Sequence, residues 1–114
     1  MTVAFTDLLG QTLTEVIVHD DEIIFETEAG NRYKQLHQQD CCESVWVEDV
    51  CGDTKDLLGR PVLVAEESTE CDEGASDSGT WTFYRLATSK GWVTIRWCGQ
   101  SNGYYSESVG FIEC

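Results

Sequence analysis

Apolar and polar residues alternate along most of this chain, in short segments rich in valine, isoleucine, threonine and aromatic residues. Such a period of two is typical of β-strands that bury one face. The pattern predicts an α+β protein, mostly antiparallel, with a single meander-type sheet of about six to eight strands that could be partly closed. The predicted strands cover residues 14–19, 22–27, 32–37, 44–50, 61–67, 80–88, 92–98 and 104–112.

The phrase Asp-Leu-Leu-Gly occurs at residues 7–10 and again at 56–59, each time before a β-branched run. A polar cap before the leucines and a glycine after them predict two short helices. The same phrase is also a generic helix ending. Two copies of it are therefore only weak evidence of an internal duplication.

The chain has 114 residues, the size of one domain, and we expect a single domain over residues 1–114. Its apolar fraction of 41% exceeds that of a disordered acidic chain, so the charge should sit on a folded body. Residues 68–79 differ, because they hold four acids among small polar residues and no large apolar one. We predict an acidic mobile loop there.

The formal net charge of −14 is concentrated in the middle of the chain. Residues 40–77 contain twelve acids and two basic residues, whereas residues 78–114 contain two acids and three basic residues. Such a field repels nucleic acid and anionic membranes and steers the protein toward basic surfaces. The predicted partner-binding carboxylates belong to this middle third: Glu43, Glu48, Asp49, Asp53, Asp56, Glu66 and Glu67.

Six cysteines could form three disulfides in a secreted chain of this size. The N-terminus lacks the features of a signal peptide, and no apolar run is long enough for a membrane helix. We therefore expect a soluble cytosolic protein with mostly reduced cysteines. Adjacent residues of a strand point to opposite faces, so Cys41 and Cys42 should not bond to each other if they lie on one.

His37, Cys41, Cys42 and Cys51 are the only neighbourhood that contains zinc-ligand residue types. Adjacent cysteines suit one ion poorly, and no second ligand pair exists. The acids beside these thiols also disfavour an activated thiolate. Motifs for nucleotide, phosphate or calcium binding are missing from the sequence. We expect no metal and no other cofactor, and we keep a zinc- or thiol-dependent enzyme as a minor alternative.

The last third of the chain carries a second candidate site. Its aromatic and polar residues could stack a nucleobase and hold a phosphate: Trp92, Arg96, Trp97, Asn102, Tyr104 and Tyr105. The protein would then be a sponge for a cyclic-nucleotide-type defence signal. Against this, aromatic residues in small β proteins are more often half-buried packing, and so acidic a body repels a dianion.

Four phrases resemble a known family: residues 37–43 (HQQDCCE), 50–59 (VCGDTKDLLG), 81–84 (WTFY) and 91–107 (GWVTIRWCGQSNGYYSE). Over most of residues 32–112 the chain is similar to small, largely uncharacterised proteins common in bacteriophage genomes. The resemblance implies a virus acting inside a bacterium, and it transfers no catalytic or binding residue. Small acidic phage proteins often block host defences, some by imitating the charge of nucleic acid.

The sequence thus predicts a phage-encoded, non-enzymatic inhibitor of a bacterial defence system, of the anti-CRISPR or anti-restriction type, in the host bacterial cytoplasm. As a DNA mimic, its acidic surface would block a basic nucleic-acid-binding site on a host protein. It would contact neither nucleic acid nor membrane itself. The identity of the target and the oligomeric state do not follow from the sequence.

Overall fold

In a computed structural model, which describes residues 3–75 and 77–114, the chain forms eight strands and two 3-10 turns. The elements in chain order are η1 (Phe5–Leu8), β1 (Leu13–Val18), β2 (Glu22–Thr27), β3 (Arg32–Leu36), β4 (Ser44–Cys51), η2 (Thr54–Leu57), β5 (Val64–Cys71), β6 (Ser78–Thr88), β7 (Gly91–Ser101) and β8 (Gly110–Glu113). None of the helical segments described is long and apolar enough to cross a membrane.

The strands form two four-stranded sheets, with the orders β1-β2-β3-β8 and β4-β7-β6-β5. All pairings between strands are antiparallel, which confirms the predicted β character. The prediction of a single meander-type sheet is wrong, because the chain leaves the first sheet after β3 and places β4 beside β7. The two predicted helices are single 3-10 turns of four residues each.

The predicted acidic loop is shorter than expected. Strand β5 continues to Cys71 and β6 begins at Ser78, so only residues 72–77 connect them, and Ser76 in this connection lies outside the described residues. The polar residues at the end of β5 were predicted to be loop, but they continue a strand that lies at the edge of its sheet. Its exposed side chains need no core, while its backbone pairs with β6 from Val64 to Cys71. The predicted last strand is also shorter and comprises Gly110–Glu113.

Aromatic side chains from both sheets meet in the core. Phe5 of η1 lies 4.7 Å from Tyr84, 5.2 Å from Phe111 and 6.3 Å from Phe25, measured between ring centroids. Tyr33 stacks on Phe111 at 5.4 Å. All five rings are buried, so the inner faces of the two sheets share one apolar cluster.

A hydrogen bond between buried side chains also joins the sheets. The indole of Trp97, on β7, donates its Nε1–H to Oε1 of Gln35, on β3, at 3.0 Å. Neither residue is exposed to solvent. A buried indole N–H requires such a partner, so Gln35 serves the packing of the largest side chain in the core.

The two Asp-Leu-Leu-Gly phrases occupy equivalent positions in the fold. Each lies in or directly after a 3-10 turn and ends in a glycine with positive φ, 81° at Gly10 and 76° at Gly59. The N–H of Gly10 donates to the carbonyl of Val62 at 2.8 Å, and the N–H of Gly59 donates to that of Leu13 at 2.9 Å. Each glycine thus binds the carbonyl of the residue three positions after the other glycine, so the two contacts are reciprocal.

The topology extends this equivalence to the whole chain. Each half consists of a 3-10 turn, a three-stranded meander (β1-β2-β3 or β5-β6-β7) and a fourth strand that joins the other sheet. Strand β4 completes the sheet of the C-terminal half, and β8 completes that of the N-terminal half. The weak sequence evidence of duplication therefore corresponds to a repeated structural unit.

The core assignment predicts a large difference between two substitutions of apolar residues. Phe111→Ala removes a ring that contacts three others and should lower the free energy of unfolding by about 3–5 kcal/mol. Leu63→Ala, at a side chain that is 61% exposed, should change it by less than about 0.5 kcal/mol. Urea unfolding of both variants tests this, and equal losses would contradict the core described here.

Candidate functional site

Two loops carry the chain from one sheet to the other, and they meet. The first loop, residues 37–43, precedes β4, and the second loop, residues 101–107, begins at the end of β7. Each loop ends at the glutamate of a Glu-Ser-Val phrase, which occupies residues 43–45 or 107–109. His37 Nδ1 lies 2.7 Å from the carbonyl oxygen of Ser108, which links the loops.

Glu43 organises the first loop from inside. Its carboxylate accepts the backbone N–H of Asp40 at 2.8 Å and that of Cys41 at 2.9 Å, and it lies 2.6 Å from His37 Nε2. Both ring nitrogens of His37 therefore contact oxygen atoms, one from the Ser108 carbonyl and one from the Glu43 carboxylate. Gln39 completes the loop by donating to the carbonyl of Glu43 at 2.6 Å.

These contacts determine the charge state of Glu43. The hydrogen bond from the Cys41 N–H lowers the pKa of the Glu43 carboxyl most. Burial acts to raise this pKa, but the contacts with Cys41, His37 and Asp40 together outweigh it, so the pKa falls from 4.5 to about 2. The residue is only 3% exposed. The sequence predicts that Glu43 contacts a partner, whereas in the structure its carboxylate is buried and bound within the loop.

Glu107 has the equivalent role in the second loop. It follows Ser101 by six residues, as Glu43 follows His37, and its carboxylate accepts the hydroxyls of Ser101 and of Thr80, the latter at 2.8 Å. Burial acts to raise its pKa, but hydrogen bonds from Ser101, Thr80 and Ser78 hold it below the usual value. Glu107, which is 8% exposed, thus fixes the second loop to β6 and β7.

Cys41 and Cys42 form a disulfide between neighbours, contrary to the predicted reduced pair. The argument against this bond holds for two residues of one strand, whereas Cys41 and Cys42 lie in a bend before β4, where side chains need not alternate. Both residues are exposed. Cys51 lies at the far end of β4 from them, and His37 is engaged by Glu43. Among residues 3–75 and 77–114, no group of three or more His, Cys, Asp or Glu side chains could hold a metal ion.

The outer side of the second sheet is aromatic. Trp46, Cys98 and Trp81 are neighbours across β4, β7 and β6, and Cys98 is only 2% exposed. This burial raises the pKa of the Cys98 thiol to about 11. The Arg96 guanidinium lies 4.8 Å over the Trp81 ring. We call this surface the aromatic face and assign to it Trp46, Trp81, Phe83, Trp92, Arg85 and Arg96.

Much of the aromatic face is accessible. Trp92 is 59% exposed, and Trp46, Trp81 and Phe83 are half-buried. Arg85 lies over Phe83 at 5.6 Å. Tryptophan and arginine are enriched in protein interfaces, where they supply most of the binding energy. This surface can therefore form the core of a protein-binding site.

Carboxylates border the aromatic face on two sides. Glu48 and Asp49 lie on β4, which forms one edge of the second sheet, and Glu66 and Glu70 lie on β5, which forms the other. Three strand spacings separate these edges, or about 14 Å. Asp53 lies just beyond β4, where its side chain caps η2 by accepting the Lys55 N–H at 2.9 Å.

Few of these acids are neutralised within the chain. In the part of the chain that the structure describes, the acids that pair with Lys or Arg include Glu22, Glu26 and Asp49. Glu48, Glu66 and Glu70 are exposed and lie outside these pairs. A cationic partner would therefore supply counter-charges that the protein itself does not.

Two further predicted partner-binding residues have internal contacts. Glu67 accepts the hydroxyl of buried Tyr84 at 2.8 Å, and burial, followed by this carboxylate, raises the pKa of Tyr84. Asp56 is half-buried, and its backbone carbonyl accepts the Thr88 hydroxyl. Both residues contact the β6–β7 hairpin and contribute to packing as well as to charge.

The structure does not bring the alternative ligand-binding residues together within one chain. Trp97 is buried in the core. Trp92 is the second residue of the eleven-residue β7, and Tyr104 follows the other end of this strand, about 30 Å further along. Asn102 accepts the Tyr104 N–H at 2.9 Å, and Tyr104 contacts Tyr105 at 5.1 Å between ring centroids. Of the candidate ligand-binding residues, only Asn102, Tyr104 and Tyr105 form a local group.

A polar pocket of about 340 Å³ lies beside this group. Its lining includes Tyr105, hydroxyls of Thr69, Thr80 and Thr82, and the carboxylates of Glu67 and Glu107. Two carboxylates in one pocket disfavour an anionic ligand such as a cyclic nucleotide. Sequence reasoning missed Glu107 as a site residue, although the repeated Glu-Ser-Val phrase was the signal that pairs it with Glu43.

Comparison with known proteins yields one relationship. A family model described as "Domain of unknown function (DUF7448)" matches residues 6–111. No curated protein and no solved structure matches the chain.

The buried state of Glu43 predicts a specific pH dependence. Because its pKa is lower in the folded chain than its ordinary 4.5, ionised Glu43 stabilises the fold above this value, and the contribution is lost as pH falls toward 2. Glu43→Gln should therefore lower the thermal unfolding midpoint at pH 7, and the difference from wild type should shrink below pH 4.5. Glu48→Gln, at an exposed carboxylate, is the matched control. A Glu43→Gln difference that stays constant with pH would contradict the assignment.

Proposed function

This chain belongs to the family described as domain of unknown function DUF7448, and we propose from its own surfaces that it is a non-enzymatic binding protein. Its partner is a protein with a basic nucleic-acid-binding site, which this chain occupies and blocks. The observation that supports the proposal is the exposed aromatic face between two strand edges that carry the exposed carboxylates Glu48, Glu66 and Glu70. An acidic cluster alone would not indicate docking, but exposed tryptophans between the acids do.

The arrangement suits a cationic protein surface. Partner lysines and arginines would pair with Glu48, Glu66 and Glu70 at the rim, and partner arginines could stack on Trp92 or Trp46. A β-sheet holds these groups in place before binding, so little conformational entropy is lost on docking. Nucleic-acid sites present Lys and Arg to regularly spaced phosphates, which carboxylates on a sheet can replace.

The setting follows from the resemblance to phage proteins. In a bacterium under infection, proteins with basic nucleic-acid channels include CRISPR effectors and restriction enzymes. Blocking such a channel in the host cytoplasm would make this chain an inhibitor of host defence. The alternative, a sponge for a cyclic nucleotide, has less support because its proposed residues are dispersed and the nearby pocket is lined by carboxylates.

Charge reversal on the rim tests the docking surface. Glu48→Lys with Glu70→Lys changes both edges of the second sheet, whereas Asp21→Lys with Glu28→Lys makes the same net-charge change at exposed turn positions directly before and after β2 of the first sheet. We expect the first pair to weaken partner binding at least about tenfold, equivalent to about 1.4 kcal/mol, and the control pair to weaken it far less. Equal losses would indicate a diffuse charge effect and contradict a defined face.

The nature of the partner is tested separately by competition. Immobilised full-length protein is mixed with a bacterial lysate, and captured proteins are identified before and after addition of double-stranded DNA or RNA. We expect nucleic-acid-binding proteins that nucleic acid displaces, with capture that falls between about 0.05 and 0.5 M salt as charges are screened. Capture indifferent to both salt and nucleic acid would overturn the proposed function.

A further inference from the structure

The repeated loops provide an internal comparison for the Cys41–Cys42 disulfide. Both loops use the same anchor, a buried glutamate bound to the residue six positions before it. The positions equivalent to Cys41 and Cys42, counted back from the glutamate, are Tyr105 and Ser106. The second loop crosses between the sheets without cysteines, so the crossing itself does not require a disulfide.

Accessibility separates this pair from a structural disulfide. Both residues are exposed, and the bond joins neighbours in the chain, so it closes no long loop and removes little entropy from the unfolded state. Glu43 holds the backbone on the N-terminal side of the pair through the N–H groups of Asp40 and Cys41. Opening the bond therefore leaves these anchors of the loop in place.

We propose that Cys41 and Cys42 form a reversible thiol–disulfide exchange site, which reacts with small dithiols when oxidised and chelates a soft trivalent arsenical when reduced. The anchored loop keeps both sulfur atoms together at the surface in either state. The site is independent of the aromatic face and its acidic rim, so it stands or falls separately from the proposed docking function.

The exchange follows ordinary thiol chemistry. A thiolate of the dithiol attacks one sulfur of the Cys41–Cys42 bond, which breaks and leaves a mixed disulfide. The second thiol of the reagent then attacks that bond, so the protein gains two hydrogens as two thiols and the reagent becomes a cyclic disulfide. Two electrons thus pass from the dithiol to the protein. In the reduced state, phenylarsine oxide forms two arsenic–sulfur bonds and releases its oxygen as water.

The other cysteines serve as controls within the same molecule. Cys51, Cys71 and Cys114 are exposed free thiols, whereas Cys98 is buried. In protein purified without reductant, native alkylation followed by peptide mass spectrometry should modify the exposed three and spare Cys41 and Cys42. Treatment with dithiothreitol should make the pair reactive, and one equivalent of phenylarsine oxide should then protect it while leaving the three single thiols reactive.

A variant copied from the second loop tests whether the sulfurs act chemically. Cys41→Tyr with Cys42→Ser should unfold at the same temperature as wild type and lose arsenical binding, whereas Cys71→Ser should keep it. Cys42→Ser alone, the more conservative change, should lose it as well. Two readily alkylated thiols at the pair in untreated protein would overturn the proposal. Arsenical binding that survives in the double variant would also overturn it. The same holds if both the double variant and Cys42→Ser alone fail to fold.

Discussion

Neither half of this chain can complete its own sheet, and the remaining features follow from that constraint. On its own, each three-stranded meander would expose an apolar inner face and an unpaired edge. In the folded chain it receives its fourth strand from the other half. The halves are joined by the shared core, the reciprocal bonds of Gly10 and Gly59, and the Trp97–Gln35 hydrogen bond. A half-chain of this size would bury too little surface to be stable alone.

The crossing of the fourth strands explains the two buried carboxylates. A segment that passes between sheets has no neighbouring strand to satisfy its backbone and polar side chains. Glu43 supplies acceptors for two backbone N–H groups in the first loop, and Glu107 accepts hydroxyls in the second. The same solution at both crossings leaves the loop surfaces free to differ, as the cysteine pair and the tyrosine pair do. The aromatic face and its acidic rim lie on the second sheet, apart from these loop surfaces.

Local structure was predictable from the sequence where the cause is local. Alternation and turn residues located most strands, and the Asp-Leu-Leu-Gly phrase located both 3-10 turns. The pairing of β4 with β7 was not predictable, because it depends on contacts between distant segments. The predicted β5 ended too early, because polar and apolar side chains do not alternate at the end of this strand. Glu43 was assigned to the surface because composition treats every carboxylate as exposed, although its position before Ser-Val, repeated at Glu107, marked it as different.

A buried glutamate, rather than apolar packing, holds the first crossing loop in place. Amide hydrogen exchange at Asp40 and Cys41 tests it most directly, since both N–H groups donate to Glu43 although both residues are exposed. We expect these two amides to exchange slowly in the wild-type protein and fast in Glu43→Gln, while amides of the core strand β7 stay protected in both. Wild-type amides at Asp40 and Cys41 that exchange as fast as those of an unstructured peptide would contradict it.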